Sequence, residues 1–469
     1  MASEGKPSST IEGQGATRRL ARFACNLGYR DLPGEVQEMA KGCLLDALGA
    51  ALLGSRYPWG KIITEYAVRE GGKPESIVVV SGKKVSAGHA ALANGTMAHG
   101  FEIDDVYIPA IHHPGSVVVP AALSAAERER ATGQQFLAAV VAGYEVMNRI
   151  GEAIAESHLL RGFFPTGTNG VFGSAAAAGN LLHLDEEQMT NALGIAGSQS
   201  SGMFEGIKEG RMTKRFGAGK AAQSGLMAAD LAKLGFTGST TVVEGEWGYL
   251  RAYSDRADLS RLTEELGERF TIAQTTFKPY PCCKGMHAAI DGTLNLQGKY
   301  HFDAQEVEAI LIGAYEKLVK MHDIYEPATP MAAQFSIPYV VSVSFLKGKP
   351  GVEDFTPESI MDPRVLDFAR LVKIVVDQEV ASYFPAHEPS KVTVKLKGGK
   401  SYSQTILHSK GTPQNPMGIE ELEEKFRGFA SRVIPKRQTA EAVRWIRRLE
   451  TLNHISELSG LFAARIRRR

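Results

Sequence analysis

Six titratable side chains crowd into the segment HGFEIDDVYIPAIHHPGS (99–116), three of them carboxylates and three imidazoles. Carboxylates and imidazoles are the usual ligands of zinc, iron or manganese, and an imidazole can transfer protons near neutral pH. The segment lacks an H-x-x-x-H or E-x-x-H pair, and prolines 109 and 114 predict an irregular loop, so its spacing disfavours a metal site. We interpret it as a proton-transfer loop. The alternative is that its acids cap the next helix while its histidines bond buried carbonyl groups.

A basic, glycine-rich segment, GMFEGIKEGRMTKRFGAGKAAQSG (202–225), is the second candidate. Its GAGK stretch departs from the spacing of a nucleotide-binding loop. The cations suit a small anionic ligand such as a carboxylate, or they form a solvated helix face. The cations are Lys208, Arg211, Lys214, Arg215 and Lys220.

The third candidate is FKPYPCCKGMHAAIDGTLNL (277–296), in which two prolines precede a predicted helix. Lys278, Cys282, Cys283 and His287 would then lie near a helix N-terminus, where anions are favoured. A cysteine–histidine nucleophile pair is one interpretation, and small buried cysteines are the other.

A small-residue loop, FFPTGTNGVFGSAAAAG (163–179), leads into a further predicted helix. Thr166, Thr168 and backbone amides there could hold a carboxylate. Alternatively, the small residues of this segment allow helices to pack closely, and the sequence favours neither interpretation.

The elements that position these segments are mostly helices. Capping-box spacing at Thr132 and Gln135, and again at Asp185 and Gln188, predicts helix starts within a helical region that runs from Ala16 to about Ala273. β-Branched, alternating segments follow, including a hairpin at Gly398-Gly399, before amphipathic helices return. We therefore predict a mainly α fold: a large all-helical domain with an inserted smaller α+β lid domain. The predicted boundaries are a disordered leader (1–15), the helical domain (16–275 and 406–469) and the lid (276–405).

Composition excludes several classes of function. Lys and Arg number 53 against 52 for Asp and Glu, so no global charge favours nucleic acid or a membrane surface. The four cysteines do not form a disulfide framework, and the N-terminus lacks an apolar signal region. The longest apolar run, 43–54, is too short for a bilayer span and carries Asp46. We expect a cytoplasmic protein with neither membrane nor nucleic-acid partners.

These four segments, in this order, resemble the MmgE/PrpD family, which includes 2-methylcitrate dehydratase, cis-aconitate decarboxylase and iminodisuccinate epimerase. The resemblance runs from about residue 16 to 460. It rests on the D-D loop that ends in His-Pro, the Pro-Thr-Gly loop, the T-K-x-x-x-x-G-x-A-A segment and FKPYPCC…H. It implies a homodimer that acts on a small di- or tricarboxylate without metal or organic cofactor.

The resemblance also implies roles for individual residues. His112 would move the proton, oriented by Glu102 or Asp104, and Lys214 would complete the catalytic set. Substrate contacts are expected from Lys278, His287, Thr168, Tyr107, Arg215 and Cys283.

Three positions depart from the family pattern. Val106 stands where a threonine is frequent, Phe164 replaces a loop histidine, and Cys283 replaces the decarboxylase's lid histidine. We expect a drier pocket that is less suited to a tricarboxylate, which disfavours cis-aconitate itself as substrate.

The sequence therefore predicts a cofactor-free lyase that abstracts a proton next to a carboxylate, with dehydration favoured over decarboxylation. An isomerase or epimerase that uses the same proton transfer is one alternative. A non-catalytic carboxylate-binding relative is the other, because two expected histidines are missing.

Overall fold

The computed structural model describes residues 15–384 and 387–463 of the chain. The predicted disordered leader therefore lies outside the described residues, except for Gly15.

Within residues 15–275 the chain is dominated by α-helices. Thr132 and Asp185 accept the predicted capping bonds from the backbone amides of Gln135 and Gln188, which confirms both helix starts. The elements are α1 (Ala16–Asn26), α2 (Gly34–Gly54), α3 (Pro58–Glu70), α4 (Ala87–Ala98), α5 (Gly115–Glu129), α6 (Gly133–Leu160), α7 (Pro165–Leu181), α8 (Glu186–Gly197), α9 (Glu205–Lys208), α10 (Thr213–Lys233) and α11 (Tyr249–Tyr253).

A short antiparallel hairpin interrupts these helices, formed by β1 (Ser76–Val78) and β2 (Lys83–Val85). The prediction of an all-helical body missed it, because strands of three residues are too short to show a periodic pattern.

The following region combines helices with a four-stranded sheet. Its helices are α12 (His287–Tyr300), α13 (Glu316–His322), α14 (Pro330–Ala333), α15 (Ile337–Lys347), α16 (Pro363–Ala369) and α17 (Gln378–Ala381). Its strands are β3 (Val307–Ala314), β4 (Val372–Val376), β5 (Ser390–Leu396) and β6 (Ser401–Ile406), in the order β4-β3-β5-β6. Strands β3 and β4 are parallel, and the other pairs are antiparallel. The β5–β6 turn is the predicted hairpin, with Gly399 at φ +82°.

Three helices follow the sheet: α18 (Ile419–Ala430), α19 (Lys436–Arg447) and α20 (Ser456–Ser459). Helix α18 packs against α2, and its Lys425 Nζ lies 2.5 Å from Asp46 Oδ1 and 2.7 Å from the carbonyl oxygen of Ile103. This buried contact ties the last part of the chain to the proton-transfer loop.

Two large apolar clusters fill the molecule. One joins buried residues between Leu20 and Phe277 to residues between Met417 and Phe462. The other comprises residues between Tyr280 and Leu396 together with four from the helical region. The predicted fold class, mainly α, is confirmed, whereas the exact domain boundaries stay a prediction. Among the described helices, none combines the length and apolar character needed to cross a bilayer.

Candidate active site

A cavity of about 520 Å³ lies where the proton-transfer loop, the basic segment and the lid meet. The loop contributes Glu102 and His113, the basic segment contributes Lys214, and the lid contributes Lys278 and Cys283. The tertiary structure thus brings together groups that are up to 181 residues apart in the chain (102 to 283).

The polar end of the cavity is built around Glu102. Its carboxylate contacts the ammonium groups of both Lys214 and Lys278, the latter at 3.2 Å. All three residues are buried. Glu102 itself has φ +53°, a left-handed conformation that costs a non-glycine residue free energy and is concentrated at functional sites. The fold therefore holds one carboxylate between two cations, which is the environment that a substrate carboxylate would need.

The surroundings of Lys214 shift the pKa of its ammonium group. Burial lowers the pKa of its ammonium group well below the usual value, and the nearby charges of Lys278 and Arg215 lower it further. The Glu102 carboxylate opposes this effect because it favours the charged form. A lysine with a lowered pKa can release its proton more readily than a solvated one.

His113 is the loop histidine that lines the cavity. Its Nδ1 lies 2.7 Å from the Asp105 carbonyl oxygen, which can only accept, so Nδ1 carries the proton. Burial lowers the pKa of His113 well below its usual value, although Asp104, 3.4 Å away, opposes the shift. His113 is therefore neutral near pH 7, and its Nε2 can accept a proton from a bound ligand.

His112, to which the sequence analysis assigned proton transfer, lies on the other side of the loop. It is fully buried and does not line the cavity. Its Nε2 lies 2.9 Å from Asn148 Oδ1, and its Nδ1 lies 3.3 Å from Asn169 Nδ2. Burial lowers its pKa to about 4. Both ring nitrogens are occupied by protein partners, so this geometry suits a structural role.

The two neighbouring aspartates of the loop, Asp104 and Asp105, make different contacts. Asp105 accepts hydrogen bonds from the Gly115 amide at 2.9 Å and the Tyr144 hydroxyl at 2.7 Å, which is the helix-capping alternative considered for this loop. Asp104 instead lies behind the cavity wall, 2.7 Å from His99 Nδ1. It can orient His113 through the loop without lining the cavity.

His99, Asp104 and His113 form a compact cluster of metal-ligand types. Zinc at 2.0–2.1 Å from each ligand would place tetrahedral ligand atoms about 3.3 Å apart. The 2.7 Å separation of His99 Nδ1 and Asp104 Oδ2 is a hydrogen-bond distance, and His113 Nδ1 is directed at a carbonyl. The arrangement fits a hydrogen-bonded cluster better than a metal centre.

Four other predicted substrate contacts lie away from the cavity. The Tyr107 hydroxyl bonds Glu152, and Thr168 lies 2.7 Å from His158 Nε2. Arg215 donates to the Gly100 carbonyl at 2.9 Å and stacks 4.0 Å from the Trp59 ring. The fourth, His287, is fully buried, with its Nε2 3.4 Å from the Cys282 carbonyl oxygen. These side chains support the walls of the site, so their roles in binding stay predictions.

The lid adds groups that the sequence analysis did not select: Lys284, Tyr315, His322 and Glu388 all line the cavity. Lys284 Nζ lies 2.5 Å from Ser409 Oγ. Their positions depend on the tertiary packing of α13 and the lid loops. No local spacing in the sequence predicts that packing.

Most of the remaining cavity wall is apolar, although Glu156 and Lys317 also line it. The three positions that depart from the family pattern, Val106, Phe164 and Cys283, all line it. Phe164 is buried in a small apolar cluster with Ile207 and Met331. Further apolar side chains come from the loop, the end of α6, the start of the basic segment and the lid: Ile108, Ile111, Leu159, Phe204, Leu318, Met321, Phe335 and Phe384.

Sequence comparison places the chain among known proteins. Models of the MmgE/PrpD N-terminal and C-terminal domains match residues 18–262 and 280–450. A cis-aconitate decarboxylase-like protein, oryM, of Aspergillus oryzae is 28% identical, over 98% of this chain and 99% of that protein. The cis-aconitate decarboxylases of Aspergillus terreus and Homo sapiens are each 27% identical, over 95% of this chain and 96% and 94% of those proteins. The resemblance seen in the sequence motifs is confirmed, and the chain belongs to the MmgE/PrpD family.

Proposed function

We propose that this protein is a lyase that releases CO₂ from an unsaturated carboxylic acid bearing an apolar substituent. The observation that carries the proposal is the asymmetry of the cavity. Two buried lysines meet at one end beside Glu102, and apolar side chains form most of the remaining wall.

The lysine end of the cavity suits a substrate carboxylate. Its cations also suit the negative charge that develops on the carbon skeleton as CO₂ leaves. Lys214 and Lys278 are held in place by Glu102 before any ligand arrives. Preorganised cations of this kind stabilise developing negative charge more strongly in a water-poor site than in water.

The apolar wall argues for a substituent larger than the carboxymethyl arm of cis-aconitate. A carboxylate placed against apolar side chains such as Phe164 and Met321 would lack a charge partner there, and a buried charge without a partner is costly. A further carboxylate would have to reach Lys284 or Lys317, which also line the cavity. An alkyl or aryl group in the same place would be favourable by about 0.8 kcal/mol for each buried CH₂. The cavity volume, about 520 Å³, leaves room for such a group.

In the proposed reaction the bond between the skeleton and the carboxylate carbon breaks. Its electron pair moves into the adjacent C=C system, and the far carbon of that system takes one proton while CO₂ leaves. Lys214 is assigned as the proton donor because it lines the cavity and the lowered pKa of its ammonium group favours release of a proton. The decarboxylase names of the relatives favour this reaction over the dehydration expected from the sequence.

Elimination of water is the second candidate, and the state of His113 favours it. A neutral imidazole with a free Nε2 is a base, and it could abstract the proton next to a carboxylate before hydroxide leaves from the neighbouring carbon. The two reactions differ in whether the site must first give or first take a proton.

The test is NMR in D₂O of the purified protein with cis-aconitate, alkyl-substituted cis-aconitates, 2-methylcitrate and citrate, combined with a CO₂ assay. We expect CO₂ release with one deuterium in the product, fastest for an alkyl-substituted acid. Water loss without CO₂ would replace this proposal with the dehydratase. Deuterium exchange alone would indicate an isomerase, and binding without turnover would indicate the non-catalytic alternative.

Two further expectations are retained as part of the proposal. We expect a homodimer, as the family resemblance implies, and a cytoplasmic location, as the cysteine usage suggests. Light scattering of the purified protein checks the first.

A further inference from the structure

Cys283 and His322 form a pair inside the lid that the proposed reaction does not use. Cys283 Sγ lies 3.7 Å from His322 Nε2, although the two residues are 39 positions apart in the chain. His322 Nδ1 lies 2.8 Å from the Phe335 carbonyl oxygen. A carbonyl only accepts, so Nδ1 carries a proton and Nε2 is left to take the thiol proton. His287, the partner considered from the sequence, is bonded elsewhere.

The charges around the sulfur favour the thiolate. Burial acts to raise the pKa of Cys283, but His322 overcomes it through its charge and hydrogen bond, so the pKa of the thiol is lowered overall. The pKa of His322 is correspondingly raised, against the opposing effect of burial. Lys278 also favours the thiolate, and Glu388 opposes it. Lys214, Tyr315 and Lys284 are further ionisable groups that line the same cavity, and the charge of Lys214 interacts with the thiolate.

The pair is reachable from the cavity, which distinguishes Cys283 from the other thiols. Cys43 and Cys282 are fully buried, and burial raises their pKa. Cys25 is partly exposed like Cys283, but its pKa is raised by burial and by the charge of Glu186. The chain therefore contains an internal reference thiol of similar exposure and opposite electrostatics.

We propose that Cys283, activated by His322, is a nucleophilic modification site for small electrophiles that carry a carboxylate. Lys214 and Lys278 bind the carboxylate of the reagent, and Cys283 lines the same cavity, so the electrophilic carbon can approach the sulfur. The relevant classes are α-halo acids and α,β-unsaturated acids.

Each reaction balances without a further reactant. With an α-halo acid a C–S bond forms and the carbon–halogen bond breaks, the halide leaving with its electron pair. With an α,β-unsaturated acid the C–S bond forms at the β-carbon, and the π electrons move to the α-carbon. That carbon takes the proton which His322 received from the thiol, so the net change is addition of S–H across the double bond.

Iodoacetate and iodoacetamide both alkylate a thiolate, but only iodoacetate carries a carboxylate. Comparing them therefore tests the reactive thiolate and the carboxylate-binding site separately. The alkylation rates of Cys283 and Cys25 are followed by peptide mass spectrometry at pH 6.5 in the whole folded protein. A solvated thiol is only a few per cent ionised near neutral pH. We expect Cys283 to react with iodoacetate at least about 10-fold faster than Cys25, the gain in thiolate being partly offset by lower intrinsic nucleophilicity.

Two variants test the physical causes. His322→Gln should slow Cys283 alkylation about 10-fold by either reagent, because the imidazolium is lost. Lys278→Met should lower the preference of Cys283 for iodoacetate over iodoacetamide and leave the preference of Cys25 unchanged. Circular dichroism and thermal melting verify that each variant is folded.

Equal rates for Cys283 and Cys25 in the wild-type protein would overturn the proposal, whether or not a variant folds. So would a ratio of iodoacetate to iodoacetamide rates at Cys283 no higher than that at Cys25. Neither outcome depends on turnover, so failure of the proposed lyase reaction would leave this test intact.

Discussion

The proton-transfer loop has two faces that carry neighbouring histidines in opposite environments. On the cavity face, His113 is fixed through Nδ1 and lines the same cavity as Glu102 and the two lysines. On the inner face, His112 is enclosed, with Asn148 and Asn169 at its two ring nitrogens. The same side chain thus has one nitrogen free on one face and none on the other.

The difference shows that burial and a lowered pKa do not by themselves mark a catalytic residue. His112 is fully buried and His113 is partly buried, and burial lowers the pKa of both. What separates them is whether a nitrogen is left for a ligand. Changes on the cavity face should therefore alter turnover, whereas changes on the inner face should alter stability.

The largest effect is expected on the cavity face at Lys214. Lys214→Met removes the proposed proton donor and leaves Glu102 with Lys278 alone. We expect kcat to fall by about 10²–10⁴-fold, the range associated with general acid–base groups. Lys233→Met, at an exposed position on the same helix, is the matched control and should leave kcat unchanged. A small effect at Lys214 would remove it from the mechanism.

Replacing each of the two histidines separately tests the comparison between the two faces directly. Under the water-elimination mechanism, in which His113 is the base, His113→Gln should lower kcat at least about 10-fold with little change in melting temperature. Under the decarboxylation mechanism, in which Lys214 gives the proton, the loss of kcat should be smaller. His112→Ala leaves two buried asparagines without their partner and opens a cavity, so it should lower the free energy of unfolding by about 3 kcal/mol. Urea unfolding and initial rates on the folded fraction measure both. The reverse pattern would return the catalytic role to His112.

Lowering the pH should destabilise the folded protein through His112, on the inner face of the loop. The pKa of His112 is about 4 in the folded protein and about 6.5 in an unfolded chain, so the unfolded state binds more protons between these values. The free energy of unfolding should therefore fall as the pH drops from 6.5 to 4, by up to about 3 kcal/mol from this residue.

Urea unfolding of the wild type and of His112→Ala at pH 7, 6 and 5 isolates that contribution. His99, His158 and His287 act in the same direction and His322 acts in the opposite one, so the informative quantity is the difference between the two proteins. Parallel curves would show that His112 does not titrate in this way.

The smallest effect is expected where α6 passes beneath the loop. A Cβ on Gly151 would lie 2.6 Å from Ala110 Cβ and 2.7 Å from His112 Cε1. Gly151→Ala should therefore cost about 1–3 kcal/mol of stability by overpacking the inner face. Gly428→Ala, in α18 with no atom within 4 Å of the added Cβ, is the control and should stabilise slightly. Thermal melting compares the two.

Local sequence patterns predicted much of the fold because the interactions concerned are local. The capping boxes at Thr132 and Asp185 and the turn at Gly399 each involve residues a few positions apart. The short hairpin β1–β2 was missed because three-residue strands carry almost no periodic signal.

The candidate site was predicted only in part. Glu102, Lys214, Lys278 and Cys283 were selected from their motifs, and the structure places all four around one cavity. His113 was not selected, because the family resemblance matched the loop histidine to its neighbour His112. Ile111, at φ +54°, reverses the chain just before the two histidines, and which of them then faces the cavity depends on the packing of α6 and α7.

The sequence by itself determined the helical character, the family motifs and the residue types available for chemistry, since these follow from local propensity and spacing. Only the tertiary structure decided that His113 lines the cavity, that Cys283 pairs with His322 and that most of the cavity wall away from Glu102 and its two lysines is apolar. The reason is physical: which side chains meet across a cavity depends on contacts between elements that are distant in the chain, and those contacts leave no local pattern.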